Sequence, residues 1–326
     1  MLDDTKPTEK TFLDWAVRLC PDSPRKRVKE WIVAGRFCLD GRVVTKAGLR
    51  LADPGDRLTM GAPEKAAPAW GHRKRIHPKL VLVYLDADLA IVDKEAGLLS
   101  VPTENQAKIS AIEVLAHYLN DQRGEARRRA YFGTAAPVKP LPVHRLDQYT
   151  SGLLCIAFNG EARRKLIEQL RSHEFLREYI AYADGDAPNA KGTWRDHLRL
   201  DEDGYTQQLL PESESGTTEA VARYSVEEIY ARQHVAKLRI CLETGLKHQI
   251  RIQAAAHGLP LIGDRIYHPG TQKAVAKQGA KLPYGFKRQA LHAAMIGIRH
   301  PESGEKLKFQ SKIPGDMQAL EERLGG

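Results

Sequence analysis

The sequence has few cysteines and no apolar stretch long enough to cross a bilayer. Its four cysteines are widely spaced and include no Cys-x-x-Cys pair: Cys20, Cys38, Cys155 and Cys241. This spacing argues against a zinc knuckle and a disulfide framework, and it favours a reducing compartment. The first residues, MLDDTKPTEK, lack the apolar core of a signal peptide and the arginine-rich character of a transit peptide. We therefore expect a soluble, cytoplasmic protein without a membrane partner.

The motifs of common cofactor-dependent and metal-dependent enzymes are also missing. There is no Gly-x-Gly-x-x-Gly loop, no phosphate-binding loop and no His-Glu-x-x-His pair, since His173-Glu174 lacks the second histidine. A hydrolase that uses Ser151, His144 and Asp147 is one alternative, but no Gly-x-Ser-x-Gly elbow surrounds the serine. We predict an enzyme without a metal or a cofactor.

Length and charge set the next limits. At 326 residues the chain is long enough for two domains, one of them with a sizeable core. It carries 50 Lys and Arg residues against 41 Asp and Glu residues, a net charge of +9. This surplus favours a polyanionic partner, of which nucleic acid is the commonest, over a basic protein that has no such partner.

Residues 11–60 have the pattern of a small folded unit. Four apolar residues share one face of a predicted first helix: Phe12, Trp15, Ala16 and Leu19. Ser23-Pro24 begins a second helix that ends near Gly35. The β-prone segments RFCLD, RVVT and RLTM follow, so the unit is predicted to combine two helices with short strands.

This unit is strongly basic between Arg25 and Arg50, where eight Lys and Arg residues stand against two acids. Such a run is typical of a phosphate-binding surface, although a solvated helix face has the same pattern. The order of a basic second helix, GRFCLDGRVV and PGDRLTM resembles the αL RNA-binding motif of ribosomal protein S4 and tyrosyl-tRNA synthetase. The resemblance implies binding of folded RNA. The residues expected to contact RNA are Arg25, Lys26, Arg27, Lys29, Arg36 and Arg42.

Residues 63–79 are rich in proline, alanine and basic residues, which is typical of a semi-extended linker. The cations Arg73, Lys74 and Arg75 either follow an RNA backbone or keep a tether soluble, and we count them as candidate RNA contacts. The predicted organisation is an RNA-binding domain over 1–62, a basic linker over 63–79 and a larger catalytic domain over 80–326.

The stretch HRLDQYTSGLL, residues 144–154, has the strongest chemical character in the larger domain. Asp147 precedes a Thr-Ser-Gly turn that leads into the apolar run 153–158, so we predict a loop with an acid at its tip that enters a buried strand. A surface aspartate paired with Arg145 is the alternative. All nine fixed positions match the signature HRLDxxTSGLL of the RluA-type pseudouridine synthases. The resemblance places Asp147 at that family's catalytic aspartate.

Two further blocks carry the same resemblance. Residues 177–181, REYIA, correspond to the family's Lys-x-Tyr-x-Ala, which puts Tyr179 at the active-site tyrosine. Residues 244–267 are similar to TGRxHQIRxHxAxxGxPIxGDxxY, which implies that Arg251 pairs with the catalytic carboxylate. Leu246 and Gln253 depart from this block and are expected at the rim of the site, and the other departures are Glu95 and Arg177. The other residues expected to contact the substrate are Arg145, Thr150, His248, Gln249 and Leu291.

The implied reaction breaks the C–N glycosidic bond of a uridine, turns the base over and rejoins it through carbon. A carboxylate suits this reaction because it is ionised at neutral pH, is nucleophilic and can leave again. A neighbouring guanidinium orients it and lowers its pKa, and an aromatic ring stacks on the flipped base. The sequence leaves open whether Asp147 attacks the sugar C1′ or the uracil ring, and which group removes the C5 proton.

Local patterns in the larger domain predict its main elements. We expect strands at LVLVYL, LAIVD, FLREYIAYADG and HVAKLRICLE, and an amphipathic helix over 160–173. A core helix is predicted over 108–119 with Ile109 buried, and a basic loop over 126–133. Residues 186–217 are polar and predicted to be rich in loops.

The resemblance implies an α+β fold in which a mixed, mainly antiparallel central sheet is flanked by helices and preceded by a small α/β RNA-binding domain. The expected function is an RNA pseudouridine synthase, with large-subunit ribosomal RNA favoured because of the extra N-terminal domain. The alternatives are a tRNA pseudouridine synthase and an RNA-binding assembly factor with a decayed catalytic centre. RNA is the expected partner of a monomeric chain.

Overall fold

The computed structural model describes residues 9–21, 23–33, 36–40, 42–60, 73–103, 108–202, 204–277 and 280–325. Within these ranges no helix has the length and apolar character needed to traverse a bilayer. The elements of the N-terminal unit are β1 (Lys10–Thr11), α1 (Phe12–Leu19), α2 (Arg25–Val33), β2 (Phe37–Leu39), β3 (Arg42–Val43), β4 (Arg50–Leu51) and β5 (Leu58–Met60).

The N-terminal unit folds around one face of each of its two helices. Thr11 and Asp14 form a capping box that begins α1, and the apolar faces of α1 and α2 pack on β2 and β5. Phe12 and Trp15 are buried as predicted, whereas Leu19 at the end of α1 is exposed. Strand β2 pairs with β3 and β5, and β1 pairs with β4. The predicted end of α2 at Gly35 lies outside the described residues.

The larger unit begins in the described chain at residue 73. Its strands are β6 (Lys74–His77), β7 (Leu80–Leu85), β8 (Leu89–Lys94), β9 (Leu141–Pro142), β10 (Ser151–Ala157), β11 (Leu176–Asp184), β12 (Lys191–Leu200), β13 (Gln207–Leu210), β14 (Thr218–Tyr230), β15 (Val235–Leu242), β16 (Leu291–Arg299) and β17 (Lys306–Gln310). Its helices are α3 (Ala111–Asn120), α4 (Gly124–Phe132), α5 (Gly160–Arg171), α6 (Gln249–Ala256), α7 (Pro269–Ala276) and α8 (Gly315–Gly325).

These strands form one sheet in the order β13-β12-β14-β15-β11-β16-β10-β8-β7-β6, with β17 beside β16 and β9 beside β10. Every pairing described in this sheet is antiparallel except the one between β10 and β16. The prediction of an α+β fold with a mixed, mainly antiparallel sheet is therefore confirmed.

Strand β10 is buried along its whole length because both faces of the sheet are covered around it. Its alternating side chains divide between two cores. Leu154 and Ile156 pack with Leu115 of α3 on one side, and Leu153 and Cys155 pack with the apolar face of α5 on the other. The loop that carries Asp147 therefore enters a rigid, central strand.

Several local predictions were wrong. Residues 74–77, placed in a linker, form the edge strand β6, because a reversal after His77 lets them pair with β7. The basic segment 126–133 is not a loop: it lies in α4, where the guanidinium of Arg128 caps the carbonyls of Leu119 and Ala135. Residues 186–217 include β12 and β13. Ile109 is exposed, since α3 begins two residues later at Ala111.

Candidate active site

The loop that carries Asp147 is held by the segment that follows β8. The Ser100 hydroxyl donates to the carbonyl oxygen of Leu146 at 2.7 Å and accepts from its N–H at 2.9 Å. The backbone N–H of Gly97 and the ammonium of Lys94 both donate to the carbonyl of Gln148, at 2.8 and 3.1 Å. These contacts fix the backbone on both sides of the carboxylate.

Gly152 in the same signature allows β16 to pack closely against β10 beside the site. Its φ is +114°, and a Cβ at this position would lie 2.2 Å from the carbonyl oxygen of Ala293. Glycine is therefore required both by the backbone conformation and by the contact with the neighbouring strand. The parallel pairing of Gly152 with Ala293 brings the start of β16 beside the Asp147 loop.

Asp147 and Arg251 form the ion pair that the resemblance implies. Nη1 of Arg251 is 3.0 Å from Oδ2 of Asp147. On its other side the same guanidinium is held by Asp264, through Nε at 2.6 Å and Nη2 at 2.9 Å. Burial disfavours the charged guanidinium, but the two carboxylates outweigh this and raise the pKa of Arg251. The site thus contains a permanent cation with one donor directed at the proposed nucleophile.

A cavity of about 490 Å³ opens from this ion pair. Tyr179 on β11 and Leu291 at the start of β16 line it together with Asp147 and Arg251. The two wall residues lie close because β11 and β16 pair, with Ala181 opposite Leu291. Tyr179 and Leu291 are both buried, whereas Asp147 keeps about a fifth of its side chain exposed. The cavity therefore combines an accessible carboxylate with an aromatic wall and an aliphatic wall.

His248, at the N-terminus of α6, is a neutral neighbour of the carboxylate. Its Nε2 is 3.9 Å from Oδ2 of Asp147, and its Nδ1 is 3.1 Å from the Tyr267 hydroxyl. Burial lowers the pKa of His248 to about 4, although the charge of Asp147 acts in the opposite direction. The imidazole is therefore uncharged at neutral pH, so Arg251 rather than His248 neutralises the carboxylate.

Two glutamines of α6 have contacts that differ from the expected ones. The Gln249 amide is used inside the protein: it accepts from Thr244 and from the N–H of Leu246, and it donates to Val221 and Gln253. These bonds brace the 244–246 turn that lines the cavity. Gln253, expected at the rim, is fully buried and donates to Asp196, so that expectation was wrong.

Other predicted substrate contacts line the cavity. Thr150 is buried and its hydroxyl accepts from the Gln289 amide at 3.2 Å, whereas Arg145 is exposed at the entrance. Leu246 and Arg177, two of the departures from the family pattern, also line the cavity. Burial lowers the pKa of Arg177, and its guanidinium donates to the Thr244 carbonyl at 3.0 Å.

The hydrolase alternative is contradicted by the contacts of its components. The Ser151 hydroxyl lies 3.0 Å from Nδ1 of His292, not from His144. Nε2 of His144 instead accepts from the N–H of Cys155. Both side chains therefore act inside the fold around β10, and neither joins Asp147 in a triad.

The cations predicted to bind RNA fall into two groups. Lys26 and Lys29 are exposed on α2. The others that the structure describes contact the protein: Arg25 pairs with Asp14, Arg27 and Arg36 pair with Asp88, Arg73 pairs with Asp93, Lys74 lies over the Tyr118 ring and Arg75 donates to the Pro78 carbonyl. The side chain of Arg42 lies outside the described residues. An RNA-binding role for this set stays a prediction.

Asp88 lies where the two units meet. It is buried, and it accepts from Arg27 at 2.5 Å and from Arg36 at 2.6 Å. Asp86 and His300 lie beside it, and these three are the potential metal-ligand group found among the described residues. The arginines already neutralise the carboxylate of Asp88, so the arrangement is an ion-pair cluster that joins the two units.

Asp264 and Lys94 are site residues that the sequence analysis did not assign. Asp264 lies in the GDRIY segment of a block that was recognised, so its position beside Arg251 had a signal in the sequence. Lys94 is the last residue of β8 and is fully buried, with its ammonium donating to three backbone carbonyls. Only the folded chain shows that one of these carbonyls belongs to the Asp147 loop.

The chain is similar to known proteins in sequence and in fold. A family model described as RNA pseudouridylate synthase matches residues 88–256, and the S4 domain model matches residues 13–58. The chain is 31% identical over 321 residues to ribosomal large subunit pseudouridine synthase D of Vibrio cholerae, covering 94% of this chain and 88% of that protein. The protein of the same name from Escherichia coli K12 is 31% identical over 318 residues, covering 94% and 89%. Human RNA pseudouridylate synthase domain containing 4 has a similar fold, with a TM-score of 0.57 at 20% identity over 75% of this chain and 92% of that chain.

Proposed function

The chain belongs to the RNA pseudouridylate synthase family and is an RNA uridine isomerase with an S4 domain, and on this premise we propose that it acts on large-subunit ribosomal RNA with Asp147 as its nucleophile. The observation that carries the proposal is the contact between Asp147 and Arg251 at 3.0 Å in a cavity that Tyr179 and Leu291 also line. This geometry supports a catalytic centre that has not decayed.

Each residue at the centre has a task that its position supports. The ionised carboxylate of Asp147 either displaces uracil from C1′ or adds to the ring, and both routes need a nucleophile that later leaves. Arg251 donates a hydrogen bond to this carboxylate at 3.0 Å and orients it. Tyr179 supplies a face for the flipped base, whose removal from the RNA helix costs a few kcal/mol. The uracil rejoins the sugar through C5 and the carboxylate of Asp147 leaves; the C5 proton passes to water and N1 takes up a proton, so the overall reaction is an isomerisation.

The choice of ribosomal RNA rests on two findings. Relatives that align with 94% of this chain are named for the ribosomal large subunit. The S4 domain adds a second basic surface, on which Lys26 and Lys29 are exposed. A large folded RNA can contact both units at once. The monomeric state remains a prediction, which light scattering on the purified chain tests.

Tritium release from C5-labelled RNA tests the proposal. We expect wild-type protein to release tritium from large-subunit ribosomal RNA and not from tRNA. Asp147→Asn should lower the rate by at least about 10³-fold while RNA binding in a filter assay is retained, because the amide is not a nucleophile. Asp186→Asn is the matched control, since this carboxylate is exposed and pairs only with His234 among the described residues. Normal release by the Asp147→Asn variant would exclude Asp147 as nucleophile.

Pseudouridine mapping in total RNA identifies the target. RNA from cells with and without the gene should differ at one or more large-subunit sites. A missing site in tRNA instead would overturn the choice of substrate and leave the catalytic assignment of Asp147 intact.

A further inference from the structure

A second cavity, of about 470 Å³, adjoins the first at the catalytic carboxylate. Both cavities are lined by Asp147, Arg251, His248, Lys247 and Arg145. The second cavity lacks the walls formed by Tyr179 and Leu291 and contains two other tyrosines, Tyr149 and Tyr205. It therefore continues the cleft beyond the space that we assign to the target base.

The two tyrosines are unusually exposed for aromatic residues beside a reacting group. Tyr149 is 49% exposed and lies two residues after Asp147 in the same loop. Tyr205 is 59% exposed, and its ring meets that of His248 edge-on with the centroids 5.7 Å apart. Single exposed aromatics need no explanation, but two in one cavity at the nucleophile form an apolar, flat-sided surface.

The ring of Tyr205 is also held in place. The ammonium of Lys247 lies over it at 4.9 Å from the centroid, and the same ammonium donates to the carbonyl of Gly204 at 2.8 Å. A ring that is oriented before binding loses less conformational freedom when a base stacks on it. The ring of Tyr205 contacts His248, and Nε2 of His248 is 3.9 Å from Oδ2 of Asp147. The ring is therefore separated from this carboxylate by one side chain.

The charge of the second cavity suits a nucleic-acid backbone. Seven cations line it, and Asp147 is the one carboxylate among its described lining residues. Four of these cations are exposed, and within the described chain none of them is seen in an ion pair: Lys108, Arg145, Arg265 and Lys287. Unpaired cations beside aromatic rings are the combination that binds unpaired nucleotides, with phosphates on the cations and bases on the rings.

We propose that the second cavity binds the nucleotides adjacent to the target uridine, with one flanking base stacked on Tyr149 and another on Tyr205. This inference rests on the proposed function, because it takes RNA as the substrate and Asp147 as the reacting centre. The exposed cations around the cavity bind the phosphates of the same nucleotides. The flanking bases must leave their helix to stack, so the enzyme selects uridines in segments that are unpaired or easily opened.

Substitutions that remove each tyrosine ring test the inference. The substrate is a C5-tritiated synthetic RNA that spans the mapped uridine. Tyr149→Ala and Tyr205→Ala should each lower kcat/KM by about 5- to 150-fold, mainly through KM, since this is the range for one base–aromatic stack. Tyr149→Phe and Tyr205→Phe keep the ring and should stay within about twofold of wild type. Ile229→Ala, at a residue 55% exposed on β14, is the matched control for loss of an exposed apolar side chain.

A second substrate makes the test specific to flanking bases. In an RNA with abasic residues on both sides of the uridine, wild type and the two alanine variants should have equal kcat/KM. Equal rates of wild type and alanine variants on the intact RNA, or a loss confined to kcat, would overturn the inference. No turnover by wild type on any RNA would instead count against the proposed function. Urea unfolding of each variant confirms that it is folded.

Discussion

Asp264 holds Arg251 with two hydrogen bonds, at 2.6 and 2.9 Å, and directs the third side of its guanidinium at Asp147. Asp264 is fully buried, and the N–H groups of Ile266 and Tyr267 also donate to it. Burial works against its charge, but Arg251 and these N–H groups keep the pKa of Asp264 low. The orientation of Arg251 toward Asp147, the proposed nucleophile, is therefore set by a carboxylate that does not line either cavity.

Asp264→Asn should reduce kcat/KM for tritium release by about 10²-fold. The amide nitrogen of the variant cannot accept a hydrogen bond from Arg251, so the guanidinium loses one of its two hydrogen bonds to residue 264 and shifts away from Asp147. A displacement of about 1 Å in a catalytic group can lower the rate by about 10²-fold. Asp184→Asn provides the comparison, since this carboxylate is tied to His268 and Tyr284 away from both cavities. Unchanged activity in the Asp264→Asn variant would show that Arg251 keeps its position without Asp264.

Lys94 should make stability depend on pH. Burial lowers its pKa from about 10.5 to about 7, with the charge of Asp147 opposing the shift. Between these values the unfolded chain binds a proton that the folded chain does not, so the contribution of Lys94 to the free energy of unfolding rises as pH rises from about 7 to about 10.5. The slope is at most about 1.4 kcal/mol per pH unit.

Urea denaturation of wild type and Lys94→Met across this window measures that contribution. The difference, wild type minus variant, should increase with pH. Lys308→Met removes an exposed lysine and should show no such trend. A difference that is constant with pH would mean that Lys94 has the same pKa in both states.

Asp88→Asn should weaken the contact between the S4 domain and the catalytic domain. The change removes the charge that Arg27 and Arg36 contact at 2.5 and 2.6 Å, and hydrogen bonds to charged groups contribute about 1.5–3 kcal/mol. The arginines are partly exposed, which places the expected loss at the lower end of this range. Small-angle scattering should report a larger radius of gyration for this variant than for Asp56→Asn, an exposed carboxylate of the same domain as the two arginines. Identical scattering curves would contradict the role of Asp88.

Gly152→Ala should lower the free energy of unfolding by about 3 kcal/mol or more. The new Cβ would meet the backbone of Ala293 at 2.2 Å in a backbone conformation that alanine rarely adopts. Gly304→Ala is the control, because φ is +72° there and no atom lies within 4 Å of the added Cβ. It should cost only the strain of the backbone, about 1–2 kcal/mol, in thermal or urea unfolding. Similar losses in the two variants would mean that β16 can move away from β10.

The N-terminal helices and the strands at LVLVYL, LAIVD and FLREYIAYADG were predictable from local patterns. The burial of one face of a helix or strand sets the periodicity of its apolar residues, and this periodicity can be seen in a short stretch of sequence. The loop at Asp147 that enters a buried strand was predicted from local residues, and the pairing of Asp147 with Arg251 was predicted from the motifs that carry the family resemblance. The structure agrees with both.

Contacts between distant parts of the chain were not predictable in this way. Arg27 and Arg36 were predicted to bind RNA because a run of basic residues does not show which acidic group each of them contacts. Their partner, Asp88, lies in the other domain. Residues 74–77 were predicted to lie in a linker because their own composition does not show that they pair with β7. The environment of Gln253 likewise depends on Asp196 of β12, a strand that was not predicted.

The sequence by itself therefore determined the family, many of the helices and strands and the candidate catalytic carboxylate, since these are encoded in short runs of adjacent residues. Only the tertiary structure decided which cations remain available to RNA, why Gly152 cannot carry a side chain, and how Asp264 and Lys94 support the site. Those properties depend on distances between segments far apart in the chain, which packing of the sheet establishes.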